Sequence, residues 1–179
     1  MTTTLPPAIS FHTEDLLVAE LARLGVGYLS MQANAEIKQP LPPHKLLAKL
    51  IQQPSSRVRL ALISLLLARP EYARHVPAAL KELHGRQALT LKLFYSAAVV
   101  LQGKYIHEIG KYFDHPVQPL PALFAEEFHL PASSAEAQLK TLAQIHRERT
   151  GMSLNWAGTY ENAARHLLRR WEMEQAWKK

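Results

Sequence analysis

Residues 89–101, LTLKLFYSAAVVL, decide the fold, because their first part, LTLKLF at 89–94, alternates like a strand and the remainder does not. Length arbitrates. The apolar run extends over about sixteen residues, 87–102, whereas strands of this character run about 4–8 residues before a turn. A helix over 87–102 is therefore expected, closed by Gly103.

Upstream, Pro54 and Pro70 bracket a second apolar segment, and Ser55 or Ser56 can cap a helix over about 57–69. From Leu60 to Ala68 this helix is apolar nearly all round, which places it in the centre of the fold. A helix from Pro43 to about Gln53 precedes it, with Leu46, Leu47, Leu50 and Ile51 turned inward. Short helical turns are expected at 71–75 and from Pro77 to His84, with Gly85 beyond. At the N-terminus, Thr13 is a fitting cap for a helix with Glu14 and Asp15 in its first turn, an inward stripe of Leu17, Leu21 and Leu24, and a stop at Gly25. Residues 26–42 are ambiguous. A helical continuation at 28–37 is one reading, and Pro40, Pro42 and Pro43 then force a turn.

Laying 43–67 on 77–101, an offset of 34, brings Pro43 to Pro77, Leu46 to Leu80, and Ile63, Leu65, Leu66 and Leu67 to Ala97, Val99, Val100 and Leu101. The two copies read as helical hairpins. In this the pair resembles the paired-helix unit of HEAT, armadillo and TPR-like repeats, with two copies where a solenoid needs at least three. The resemblance implies a short stack; the alternative is an irregular bundle.

Downstream, KYIHEIGKYF at 104–113 leads into a stretch holding Pro116, Pro119, Pro121 and Pro131. This is expected to be a connector, 114–132, between two subregions, with one short helix around Ala122 to Phe128. Ser133 and Glu136 form an S-x-x-E capping box opening a helix with Leu139, Leu142 and Ile145 inward, ended by Gly151. A last helix is expected from Thr159 to Trp177. The reading is a single all-α domain over 1–179 with about seven to eight helices in antiparallel hairpins, comprising a core at 13–113, the connector, and a C-terminal helical pair at 133–177.

The net charge of +6 is unevenly distributed: residues 1–37 carry −3, residues 38–115 carry +8, residues 116–139 carry −3 and residues 140–179 carry +4. A basic middle between acidic pieces creates a local positive field of the sort that attracts nucleic acid or an acidic partner. The other reading is a solvated surface dotted with lysine. The absence of cysteine removes disulfides, thiolate catalysis and Cys-based metal sites, and fits the cytoplasm. MTTTLPPAISFHTED has no basic residue and no apolar stretch of signal-peptide length, so export is not expected. The longest strongly apolar run, LALISLLLA at 60–68, is about half the roughly 20 residues of a membrane span, and no membrane role is expected.

Nine histidines raise the question of a metal. His107-Glu108 lacks the second histidine of H-E-x-x-H, and Glu126 with His129 gives a single E-x-x-H where di-iron bundles use two. No histidine pair stands four apart, so surface or helix-capping roles are expected and neither metal nor cofactor is implied. Phosphate-cradling glycine loops and the G-x-S-x-G elbow are absent from the sequence. Arg69 followed by five residues and His75 matches the spacing of the small helical HEPN ribonucleases, in which such a pair would hold a scissile phosphate and move protons. The chain departs from that pattern. Pro70 breaks the helix that would carry both residues, and the polar residue favoured after the arginine is missing.

In the last helix, Tyr160, Ala164, Leu167 and Trp171 fall on one apolar stripe that belongs in a core or an interface. Glu161, Arg165 and Arg169 form one mixed-charge row, and His166, Arg170, Glu174 and Lys178 another. A nucleic-acid helix would leave its arginines without acidic neighbours, so the rows favour a structural role. Trp177 lies off the stripe and is expected to stand exposed. The functional expectation is a non-catalytic interaction module or partner subunit of a larger prokaryotic-type assembly, meeting a protein partner or a second copy through Tyr160, Trp171 and Trp177. Two alternatives share the small, basic, helical profile. It loosely resembles the helical small subunit of CRISPR effector complexes, which implies backbone phosphates held by Lys45, Lys49, Arg57, Arg59, Arg69 and Arg74, and it also suits the helical partner, or antitoxin, of a nucleotidyltransferase toxin.

Overall fold

The computed structural model describes residues 10–29 and 39–178. It is all-α: among the described residues there are eight α-helices, one 3-10 helix and no strand. In chain order they are α1 (Ser10–Arg23), α2 (Pro43–Gln52), α3 (Ser56–Ala68), the 3-10 turn Pro70–His75, α4 (Val76–Leu80), α5 (Gly85–Lys104), α6 (Ile106–Gly110), α7 (Ala135–Thr150) and α8 (Trp156–Trp177).

The deciding stretch is helical, and α5 buries Leu91, Leu93, Phe94, Tyr95, Ala97, Ala98, Val100 and Leu101. So many apolar positions on one helix cannot fit a single stripe, and α5 is accordingly packed by α3, α7, α8 and α2. Helix α3 is the other central element, buried without interruption from Ala61 to Ala68. Ser64 lies fully buried in it and donates to the Ala163 carbonyl of α8 at 3.0 Å. Since that bond uses the serine proton, the Tyr28 hydroxyl must be the donor in its 2.9 Å bond to Ser64.

Among the elements that the 34-residue echo matches, α2 packs on α4 and α3 on α5. The α7–α8 hairpin closes over α3 and α5 and makes the whole a bundle. Segment 114–132 does not separate two bodies. Leu120 and Phe128 are buried, the Tyr95 hydroxyl donates to Pro121 O at 2.8 Å, and Gln102 exchanges bonds with Gln118 O and Leu120 N at 3.0 and 2.8 Å. The connector thus runs along α5.

Several boundaries differ from the sequence expectations. Helix α1 begins at Ser10, so Thr13 lies within it and cannot cap it. The continuation expected at 28–37 falls mostly outside the described residues. Gly103 does not close α5, which runs on to Lys104. No helix forms over 122–128, where the chain makes successive turns instead. The cap of α7 is Ser134, whose hydroxyl accepts from Ala137 N at 3.2 Å, while Glu136 pairs with Lys104 across to α5 at 3.1 Å. Helix α8 starts at Trp156, three residues before the expected Thr159, because Asn155 caps it by accepting from Gly158 N at 3.1 Å. Gly25 and Gly151 stop their helices as expected, at φ +97° and +69°.

Candidate functional site

Of the six basic side chains expected to hold phosphate, four are exposed and two, Arg59 and Arg69, are half-buried. The exposed four are Lys45, Lys49, Arg57 and Arg74. Arg57 reaches the Leu29 carbonyl at 3.4 Å, Arg59 donates to Gln53 O and Pro54 O at 2.6 and 2.8 Å, and Arg69 donates to Leu24 O at 3.1 Å. The Arg59 and Arg69 acceptors lie where α2 and α1 end, and helix ends leave carbonyls unsatisfied, so these arginines act as C-terminal caps. The HEPN-like pair is likewise divided. Arg69 is tied to Leu24, while His75 sits edge-on to Tyr72 and its Nε2 accepts from Arg74 at 3.1 Å.

Of the three aromatics expected at a partner interface, two belong to the core. Tyr160 is fully buried, and Trp171 is buried with its indole N–H on the Gly25 carbonyl at 2.8 Å. Trp177 alone stands out, at 75% exposure, with Met173 one turn before it at 44%. The charged rows are present in part, with Glu161 pairing to Arg165 at 3.3 Å and Arg170 to Glu174 at 2.6 Å.

A concavity lies elsewhere, where one end of the bundle gathers the starts of α3, α5 and α8 and the ends of α2 and α7. It encloses a cavity of about 620 Å³. The floor and walls include Leu60, Phe94, His146 and Trp156; Met152 and Leu154, at 43% and 47% exposure, lie where the chain turns from α7 to α8. Arg59 and Arg86 are its charged lining, without any Asp or Glu, and neither arginine has a carboxylate partner among the described residues.

His146 is the chemical centre of this wall. Its ring lies flat against the Trp156 indole at 3.5 Å between centroids, with Phe94 at 5.9 Å. Its Nδ1 is 2.7 Å from the Tyr160 hydroxyl. Burial, reinforced by the positive charge of Arg59, pushes its pKa down to about 4, so the ring is neutral at pH 7. Burial pushes the Tyr160 phenol up, so it keeps its proton. That proton's partner among the described residues is Nδ1, so Tyr160 donates and the imidazole carries its own hydrogen on Nε2. Nε2 takes no partner among the described residues, yet no occluded side-chain nitrogen or oxygen there lacks one. The Nε2–H therefore faces the cavity. A buried histidine corrects the expectation of surface or capping roles for all nine.

The chain matches no protein-family model, no curated protein and no solved structure. Among the described residues no helix is long and apolar enough to cross a membrane, and no three His, Asp or Glu side chains gather in a metal-holding group.

Sequence reasoning missed the cavity because its wall comes from five helix ends far apart in the chain. One signal was available. His146 and Thr150 fall on the inward side of α7 with Leu139, Leu142 and Ala143, a polar interruption of an apolar stripe.

Proposed function

We propose that this chain is a non-catalytic helical binding module that receives a small molecule in the cavity at the α3, α5 and α8 starts. The observation that carries this reading is the cavity itself: about 620 Å³, apolar-walled, with Arg59, Arg86 and the Nε2–H of His146 as convergent donors. Ligand sites are typically concavities of about 300–1,000 Å³ with this mixture of apolar wall and few polar groups. Hydroxyls of Thr90, Thr150 and Thr159 in its lining donate to backbone carbonyls, and the His146 ring bonds Tyr160 instead of any of them. The test is thermal unfolding of the chain against a panel of small aromatic acids, amides and amines, repeated on Thr90→Trp, which projects an indole from α5 into the cavity between Phe94 and Trp156. Members of the panel should raise the melting temperature of the wild type and not of the variant. Equal response of both proteins, or none in the wild type, overturns the reading.

A second reading is favoured by a separate observation. Met173 and Trp177, four residues apart on the last turns of α8, form an exposed apolar patch of the kind found at interface hot spots. On that reading the module joins a protein partner or a second copy through this end of α8. Sedimentation over a concentration series, with Trp177→Ser as control, should show self-association that the substitution removes; a monomer at every concentration counts against the second copy.

A further inference from the structure

We infer that the cavity selects an organic anion: a flat apolar body carrying an oxyanion that meets Arg59, Arg86 and the Nε2–H of His146. The inference rests on the reading of the cavity as a ligand site and specifies what it takes. Three features converge on it. The charged lining consists of two guanidiniums with no carboxylate, so an incoming cation would meet like charge. A neutral ligand would leave the charge of both guanidiniums unanswered, since neither has a carboxylate partner among the described residues. The imidazole also presents a donor, since its acceptor nitrogen is occupied by Tyr160.

The helix ends add to this field. The first turns of α3, α5 and α8, represented by Ser56 and Arg59, Arg86 and Gln87, and Trp156 and Thr159, all border the cavity and bring positive dipole ends to it. Helix α5 has no side-chain cap at its start, where the Gln87 amide donates to the His84 carbonyl at 3.1 Å. The opposing ends of α2 and α7 are largely answered from within: Arg59 covers the Gln53 and Pro54 carbonyls, Gly151 N bonds Arg147 O at 2.9 Å, and the Thr150 hydroxyl bonds His146 O at 2.6 Å. The anion therefore meets donors on several sides, while Leu60, Phe94 and Trp156 receive the apolar body.

The experiment is isothermal titration of the full chain at pH 7 with two probes of nearly equal shape, naphthalene-2-carboxylate and naphthalene-2-carboxamide. The carboxylate should bind at least about tenfold more tightly, as a charge-assisted contact in a partly desolvated site would give. Arg86→Gln, at an exposed position without an ion pair among the described residues, should bring the ratio below about threefold without lowering the melting temperature. Thr90→Trp should abolish both titrations. If the amide binds as tightly as the acid, or the ratio is unchanged in Arg86→Gln, the anion inference falls and the ligand-site reading stands. If neither probe binds the wild type at millimolar concentration, or both still bind Thr90→Trp, the two fall together.

Discussion

Arg59 shows how a residue's type can suggest one role and its position enforce another. Its guanidinium sits over the end of α2, satisfying two carbonyls that would otherwise be left beside an apolar wall. Charge reversal should therefore destabilise the fold as well as change the cavity. Arg59→Glu is expected to cost about 1–3 kcal/mol in urea unfolding, the range for leaving partly buried polar groups unpaired, whereas Lys45→Glu on the exposed face of α2 should stay within about 0.5 kcal/mol. Equal effects at the two positions would show that the cap contributes nothing. His146 gives a second prediction at this scale. Its folded pKa of about 4 lies below its ordinary 6.5, so between those values the unfolded chain binds a proton that the folded chain refuses. The associated stability is fully present above about pH 6.5 and drains as pH falls toward 4, by up to about 3 kcal/mol. Urea midpoints measured at pH 7 and 4.5 should fall more steeply for the wild type than for His146→Gln; parallel losses would contradict the burial argument.

At the level of the element, the sequence was legible wherever one residue type has one local meaning. The prolines at 43, 54 and 70, the left-handed glycines at 25 and 151 and the apolar crowding of 60–68 each set a boundary or a burial that the structure shows. Legibility failed where two residues compete for one role or where a tertiary partner decides. Ser133 and Ser134 are both sound caps, and the capping-box rule favours the first; Glu136 instead turns to Lys104 on α5, and Ser134 takes the amide. Ser134→Ala should thus cost about 1 kcal/mol and Ser133→Ala close to nothing, by chemical denaturation. Gly103 is the sharper case, since a helix-ending glycine and a helix-interior glycine respond to alanine with opposite signs. Within α5 its added Cβ meets nothing within 4 Å and its φ is not positive. Gly103→Ala is expected to stabilise the protein by about 0.5–1 kcal/mol, and a loss of stability would place the end of α5 before residue 103.

For the molecule as a whole, the division into a core at 13–113 and a helical pair at 133–177 describes the chain's order and not its packing. Helices α7 and α8 bury Leu139, Leu142, Tyr160, Ala164 and Leu167, and they lie on α5 and α3, whose own apolar surface runs too far round to be covered by α2 and α4. Charged contacts cross the same boundary, Lys104 of α5 meeting Glu136 of α7 and Glu161 of α8 at 3.1 and 2.8 Å. Removing either half would expose a wide apolar face of the other, so the two should unfold together. The sequence supplies a clean probe for this, because all three tryptophans lie in α8, two of them buried, while far-ultraviolet circular dichroism reports every helix. Urea transitions followed by tryptophan fluorescence and by circular dichroism should superimpose, with one midpoint and one slope. An earlier fluorescence midpoint would mean that the α7–α8 pair leaves while α2–α5 remain folded, against the burial of α3 and of most of α5 from Leu91 to Gln102 beneath it.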